Sequence, residues 1–222
     1  MRITRSWNPI VGCRHECVYC WARRLAEGRL SHLPQYRNGF TSVRIVEKAF
    51  NQSFKPGETV FTVDMGDMWG DWVPGEWIKR VLSHASKYPR TVFLFLTKNP
   101  KRYHEFLDRL PPNSILGATI ETNRDTLTAG ISRAPPPSER YRHMKTLPWP
   151  RKLVSIEPIL DFDPETMIEW INDIQPETVH IGYDNYSNKL PEPPLQKTLR
   201  LIRELRRHTQ VTLGTIRKAW NE

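Results

Sequence analysis

The stretch Cys13-Arg14-His15-Glu16-Cys17-Val18-Tyr19-Cys20 decides how this chain is read. Its three cysteines are the only ones among 222 residues. Their C-x3-C-x2-C spacing lets three thiolates converge on one soft metal centre while a helix begins at Tyr19. Structural zinc wants a fourth protein ligand, and a four-iron cluster normally takes four thiolates. Three cysteines alone therefore leave one coordination position open, which points to chemistry rather than scaffolding. Three other readings stand beside this one: a zinc site completed by His15 or another histidine, a chance grouping of ordinary cysteines, and a disulfide. Zinc sites favour paired C-x2-C units, and only one is present. The odd cysteine count and the lack of a leader-like segment lead us to expect a reducing, cytoplasmic setting.

Composition bounds what the loop is built on. With 38% hydrophobic residues the chain can bury a real core, and no apolar run is long enough to span a bilayer, so no membrane partner is expected. Lys and Arg outnumber Asp and Glu by 33 to 24, and the net charge of +9 favours a polyanionic partner such as DNA or RNA. We expect a single domain over 1–222, with an irregular insertion around 30–57 and a proline-rich excursion around 133–150.

Outward from the cysteines, Ile3, Trp7, Ile10 and Val11 supply a first strand, and Gly12 allows the turn into the loop. Trp21, Ala22, Leu25 and Ala26 recur at helical spacing, which puts Cys20 in the first turn of a helix. Residues 30–57 carry breakers around one short helix near Val43–Phe50. Strands are then expected at Thr59–Val63, Val92–Leu96, Ser114–Ile120, Lys152–Ile156, Val179–Ile181 and Val211–Leu213. Helices follow with Trp77 and Ile78, from Pro100 to Leu110, with Met167 and Ile171, and with Leu195 to Leu205. Apolar strands spaced by amphipathic helices mean βαβ units and a parallel sheet.

The cysteine spacing, with aromatic Tyr19 before the last cysteine, resembles the signature of the radical S-adenosylmethionine (SAM) enzymes. The resemblance implies that Cys13, Cys17 and Cys20 hold a [4Fe-4S] cluster whose fourth iron binds SAM. It also implies the partial (β/α)6 parallel barrel of that superfamily, a fold that six strands and a short seventh suit. Parallel barrels carry their chemistry at the carboxyl ends of the strands, so polar residues there are read as one set.

Asp64 and Asp67 follow the second strand, where the superfamily receives the amino group of SAM. The usual Gly-Gly-Glu is absent. Asp67 with Pro74-Gly75-Glu76 is similar instead to enzymes related to spore photoproduct lyase and to an uncharacterised phage and prokaryotic family; helix capping is the alternative role. By the same resemblance Lys98 meets a carboxylate, and Glu121 or Asn123 a ribose hydroxyl. Tyr19 completes the expected cofactor set. Glu157, ending the fifth strand, needs a partner or a ligand. Tyr183 and Tyr186, after the sixth strand, are candidates for returning a hydrogen atom to a substrate radical, or they merely cover core edges.

The expectation is therefore a radical SAM lyase or modifying enzyme acting on a nucleic acid or nucleotide, with a flavodoxin- or ferredoxin-like electron donor and no auxiliary cluster. A small-metabolite substrate and a zinc-binding nucleic-acid module without catalysis are the alternatives. Lys197, Arg200, Arg203, Arg206 and Arg207 on the last helix form either a basic stripe or a solvated outer face.

Overall fold

The computed structural model describes residues 2–222. Two short strands, β1 (Arg5–Trp7) and β2 (Ile10–Val11), lead into the cysteine loop, and helix α1 (Trp21–Glu27) leaves it. After β3 (Arg44–Ile45) come β4 (Thr59–Thr62), α2 (Gly75–Ala85), β5 (Val92–Thr97) and β6 (Ile115–Thr119). Then follow α3 (Pro137–Thr146), β7 (Lys152–Ile156), α4 (Pro164–Ile174), β8 (Thr178–Ile181), α5 (Leu195–Leu205) and β9 (Gln210–Leu213). Seven strands form one sheet in the order β1-β4-β5-β6-β7-β8-β9, which is chain order once β2 and β3 are set aside. The pairs β1/β4, β4/β5, β7/β8 and β8/β9 run parallel. The fold is thus the expected α/β class. No helix among the described residues is long and apolar enough to cross a membrane.

The chain divides into two compact units, Arg2–Glu16 with Cys20–Leu116, and Cys17–Tyr19 with Gly117–Glu222. In the first, Trp7 is fully buried among the rings of Phe54, Phe93 and His84, and its indole N–H donates to the Ala49 carbonyl at 2.9 Å. Helix α2 buries Ile78, Val81, Leu82 and Ala85, the i, i+3, i+4, i+7 stripe of an amphipathic helix. The insertion folds back, with β3 pairing antiparallel to β2. A 3-10 helix over Glu47–Asn51 stands where a short helix near Val43–Phe50 was expected.

Pro100–Leu110 also differs from expectation, forming two 3-10 turns rather than an α-helix. The reason is side-chain anchoring. Arg102 donates to the carbonyls of Gly70 and Val73, Tyr103 donates to Phe95 O at 3.0 Å, and Arg102 pairs with Glu105 at the i, i+3 spacing that a 3-10 turn eclipses.

In the second unit the strand register sorts residues by face. Val154, Val179 and Val211 form one apolar row and Ile156, Ile181 and Leu213 the next, while Ser155, His180 and Thr212 stand side by side on the opposite face. Helix α4 buries Met167, Ile171 and Ile174, and α5 buries Leu201, Ile202 and Leu205. Each such side chain contributes roughly 1.5–3 kcal/mol by leaving water. The proline run does more than make a surface excursion: Pro137 opens α3, where a missing N–H costs nothing, and the helix buries Arg140 and Met144 one turn apart.

Candidate functional site

The entry to the cysteine loop is held by close backbone approach. Gly12 has φ +93°, donates to Met65 O at 2.9 Å, and would bring any Cβ to 2.7 Å from the Phe40 carbonyl. Only glycine fits there. Cys13 N then donates to Phe40 O at 3.0 Å, and Cys13 Sγ accepts from His15 N at 3.4 Å. Cys20 is the N-cap of α1, its Sγ accepting from Arg23 N at 3.4 Å. Both cysteines pack against the cluster of Val11, Ala22, Ala26, Tyr36, Phe40 and Met65.

His15 ties this loop to the strand ends. Its Nε2 lies 3.0 Å from Asp67 Oδ2, both side chains being buried. Asp67 also accepts from Thr97 Oγ1 at 2.8 Å, from Lys98 N at 3.0 Å and from Trp69 N at 3.0 Å. Burial pushes this carboxyl up, but the bonds from His15, Lys98 N and Thr97 outweigh it and hold the group below the usual carboxylate value. Asp67 is thus a brace for the cysteine loop, its oxygens engaged by protein donors where the sequence reading offers them to the SAM amine. Half-buried Asp64 accepts from Ser6, and from Asn8 Nδ2 at 2.6 Å. Lys98 is half-buried at the end of β5.

In the second unit, Cys17 Sγ lies 3.0 Å from Ser132 Oγ, and Val18 N donates to Ile131 O at 2.9 Å. Tyr19 is buried and donates its hydroxyl to Glu121 Oε1, while Arg140 Nη1 holds Glu121 Oε2 at 2.6 Å and also reaches Thr119 O at 2.9 Å. Burial, and then the Glu121 carboxylate, push the Tyr19 phenol well above its usual range. Glu121 therefore sits in the core rather than in solvent. Asn123 and Asp163 bond reciprocally, Nδ2 to Asp163 O and Asp163 N to Oδ1, both at 2.9 Å.

Glu157, half-exposed after β7, has the partner its burial called for: His180 Nε2 at 3.1 Å from Oε2. Tyr183 is fully buried, with its hydroxyl donating to Pro193 O at 2.9 Å and standing 2.7 Å from Thr198 Oγ1. That engagement suits core packing. Tyr186 is 48% exposed. On α5 Lys197 pairs with Asp161 and Arg200 with Glu165, and just past its end Arg207 pairs with Glu204, so three of the five basic residues have an acidic partner.

Sequence reasoning missed Arg140, Ser132, His180 and Thr212. Only His180 carried a signal, as a lone polar residue inside an apolar strand.

No group of three His, Cys, Asp or Glu side chains among the described residues is arranged to hold a metal ion. The chemistry of the donor set nevertheless suits an iron–sulfur cluster: three reduced thiols, one capping a helix and two accepting backbone N–H bonds.

Among solved structures the chain is similar to spore photoproduct lyase complexed with dinucleoside spore photoproduct, with a TM-score of 0.60 and 9% identity over 91% of this chain and 61% of that one. It is also similar to Streptococcus suis SuiB bound to S-adenosylmethionine, with a TM-score of 0.53 and 11% identity over 95% and 46%. Both are radical SAM enzymes, and the shared fold is the partial parallel barrel of that class. The chain spans less than two thirds of the length of either. No curated protein matches it. The chain belongs to the family described as Protein of unknown function (DUF5131), which matches residues 2–174.

Proposed function

We propose that this protein is a radical SAM enzyme in which Cys13, Cys17 and Cys20 hold a [4Fe-4S] cluster. The observation that carries the reading is the three-cysteine loop on a radical SAM fold, with Cys20 capping α1 and the loop braced by Asp67. When bound, the cluster and SAM supply a 5'-deoxyadenosyl radical for hydrogen abstraction, driven by one electron from a flavodoxin- or ferredoxin-like donor. The chain's own residues divide the remaining work. Tyr19 and Glu121 hold the loop in one unit and Asp67 in the other, while half-buried Lys98, at the end of β5, offers its ammonium to the carboxylate of SAM.

For the substrate we favour a nucleic acid or nucleotide, undergoing lyase-type repair or modification, in a reducing cytoplasm. The net charge of +9 supports this. A small-metabolite substrate is the second reading, favoured by the acidic partners of Lys197, Arg200 and Arg207. Anaerobic reconstitution with iron and sulfide, followed by visible and electron-spin spectra with and without SAM, tests the cofactor assignment. A colourless protein holding stoichiometric zinc overturns it. Binding to single- and double-stranded oligonucleotides across a salt series separates the substrates, because phosphate contacts give a steep salt dependence.

A further inference from the structure

Cys17 and the turn that follows Asp125 belong to one compact unit. That turn is built as a bracket. The Asp125 carboxylate accepts from both the N–H and the hydroxyl of Ser138, which ties the turn to the start of α3. Thr128 returns to the Asp125 carbonyl through N at 3.1 Å and Oγ1 at 2.8 Å, and Ile131 and Ser132 each donate an N–H to Thr128 O at 3.1 Å. The bracket reaches the cysteine loop twice, by Val18 N to Ile131 O at 2.9 Å and by Ser132 Oγ, 3.0 Å from Cys17 Sγ.

A serine hydroxyl has one proton to give and two lone pairs with which to accept. Ser132 Oγ accepts from Ala134 N at 3.1 Å, which engages its lone-pair side and leaves the proton for the sulfur. Cys17 is only 7% exposed, so the protein rather than bulk water supplies that donor. A metal-bound thiolate carries no proton, and between these two atoms only the serine can then donate. Cys13 and Cys20 accept N–H groups of their own loop and helix, whereas this donor is a side chain 115 residues further along the chain.

We propose that Ser132 is a positioning residue that donates a hydrogen bond to the iron-bound Cys17 thiolate and thereby raises the reduction potential of the cluster; this rests on the cofactor reading above. Hydrogen bonds to cluster sulfurs are among the features that set such potentials. The bond is stronger to the more negative, reduced cluster, so it favours uptake of the one electron that the flavodoxin- or ferredoxin-like donor supplies.

The test is anaerobic redox titration with dithionite of reconstituted wild type, Ser132→Ala, Ser132→Thr and Ser132→Val, followed by electron-spin resonance. At a fixed poise Ser132→Ala is expected to lower the ratio of reduced to oxidised cluster about tenfold, a fall of about 59 mV for a one-electron couple. Ser132→Thr keeps the hydroxyl and should keep the wild-type potential, while Ser132→Val, of nearly the same shape, should follow Ser132→Ala. The threonine and valine pair decides the matter if the alanine variant takes up no cluster. A merely structural role would change the yield of cluster and leave the potential of the bound fraction where it was. A wild type that takes up no cluster overturns the cofactor reading and the proposal with it. Equal potentials in the wild type and the valine variant overturn the proposal alone, as does a threonine variant whose potential falls with that of the valine one.

Discussion

Arg140 Nη1 and Glu121 Oε2 lie 2.6 Å apart with neither side chain exposed, and the other Glu121 oxygen accepts the hydroxyl of Tyr19. An ion pair in the core is held by its geometry, because either charge left alone there has no water to solvate it. Arg140→Met is therefore expected to destabilise the protein by about 3–5 kcal/mol, and Glu121→Leu combined with Arg140→Met to recover part of that loss. Denaturant unfolding of the two variants checks this. A double variant less stable than Arg140→Met alone would refute the coupling.

Asp67 gives an acid-sensitive contribution whose sign is fixed. Its folded pKa lies below the ordinary 3.8, so its stabilisation is fully present above that value and is lost as pH falls through the lower, folded one. Asp67→Asn is expected to be less stable at neutral pH and to lose less stability on acidification below 3.8. Circular dichroism along an acid series measures both slopes, and parallel curves would contradict the assignment.

The three cysteines separate by their second roles. Cys13→Ala, Cys17→Ala and Cys20→Ala should each abolish the cluster's visible absorption. Cys20 also caps α1, so Cys20→Ala should lose about 1 kcal/mol of stability that Cys20→Ser, a good N-cap, retains. A serine variant as stable as wild type yet colourless after reconstitution is the expected outcome. A coloured Cys20→Ser protein would count against the ligand role.

The two tyrosines after β8 should part company. Tyr183→Phe strands Thr198 and the Pro193 carbonyl in the core and should cost about 1–2 kcal/mol. Tyr186→Phe, at an exposed position, should leave stability within about 0.5 kcal/mol. If this loop returns a hydrogen atom to the substrate, Tyr186→Phe diverts the product while 5'-deoxyadenosine still forms. Normal product from Tyr186→Phe would leave the loop as a binding surface.

The cysteine loop and the order of strands and helices were legible because both are local. Metal-ligand spacing is a property of eight consecutive residues, and the period of burial, two in β4 or 3.6 in α2, is written along each element. That local record failed at Pro100–Leu110, where the apolar spacing suits an α-helix but Arg102 and Tyr103 bond to the distant carbonyls of Gly70, Val73 and Phe95. It also underdetermined the strand-end residues. Asp67 and Glu121 stand where cofactor ligands are expected, yet only the fold brings His15 and Thr97 to the one, and Tyr19 and Arg140 to the other. The sequence by itself determined the spacing of the three cysteines and the α/β class. Tertiary structure alone decided that Glu157 lies over Gly182 and Gly214 against His180, because strand register joins residues far apart in the chain and no local periodicity records it.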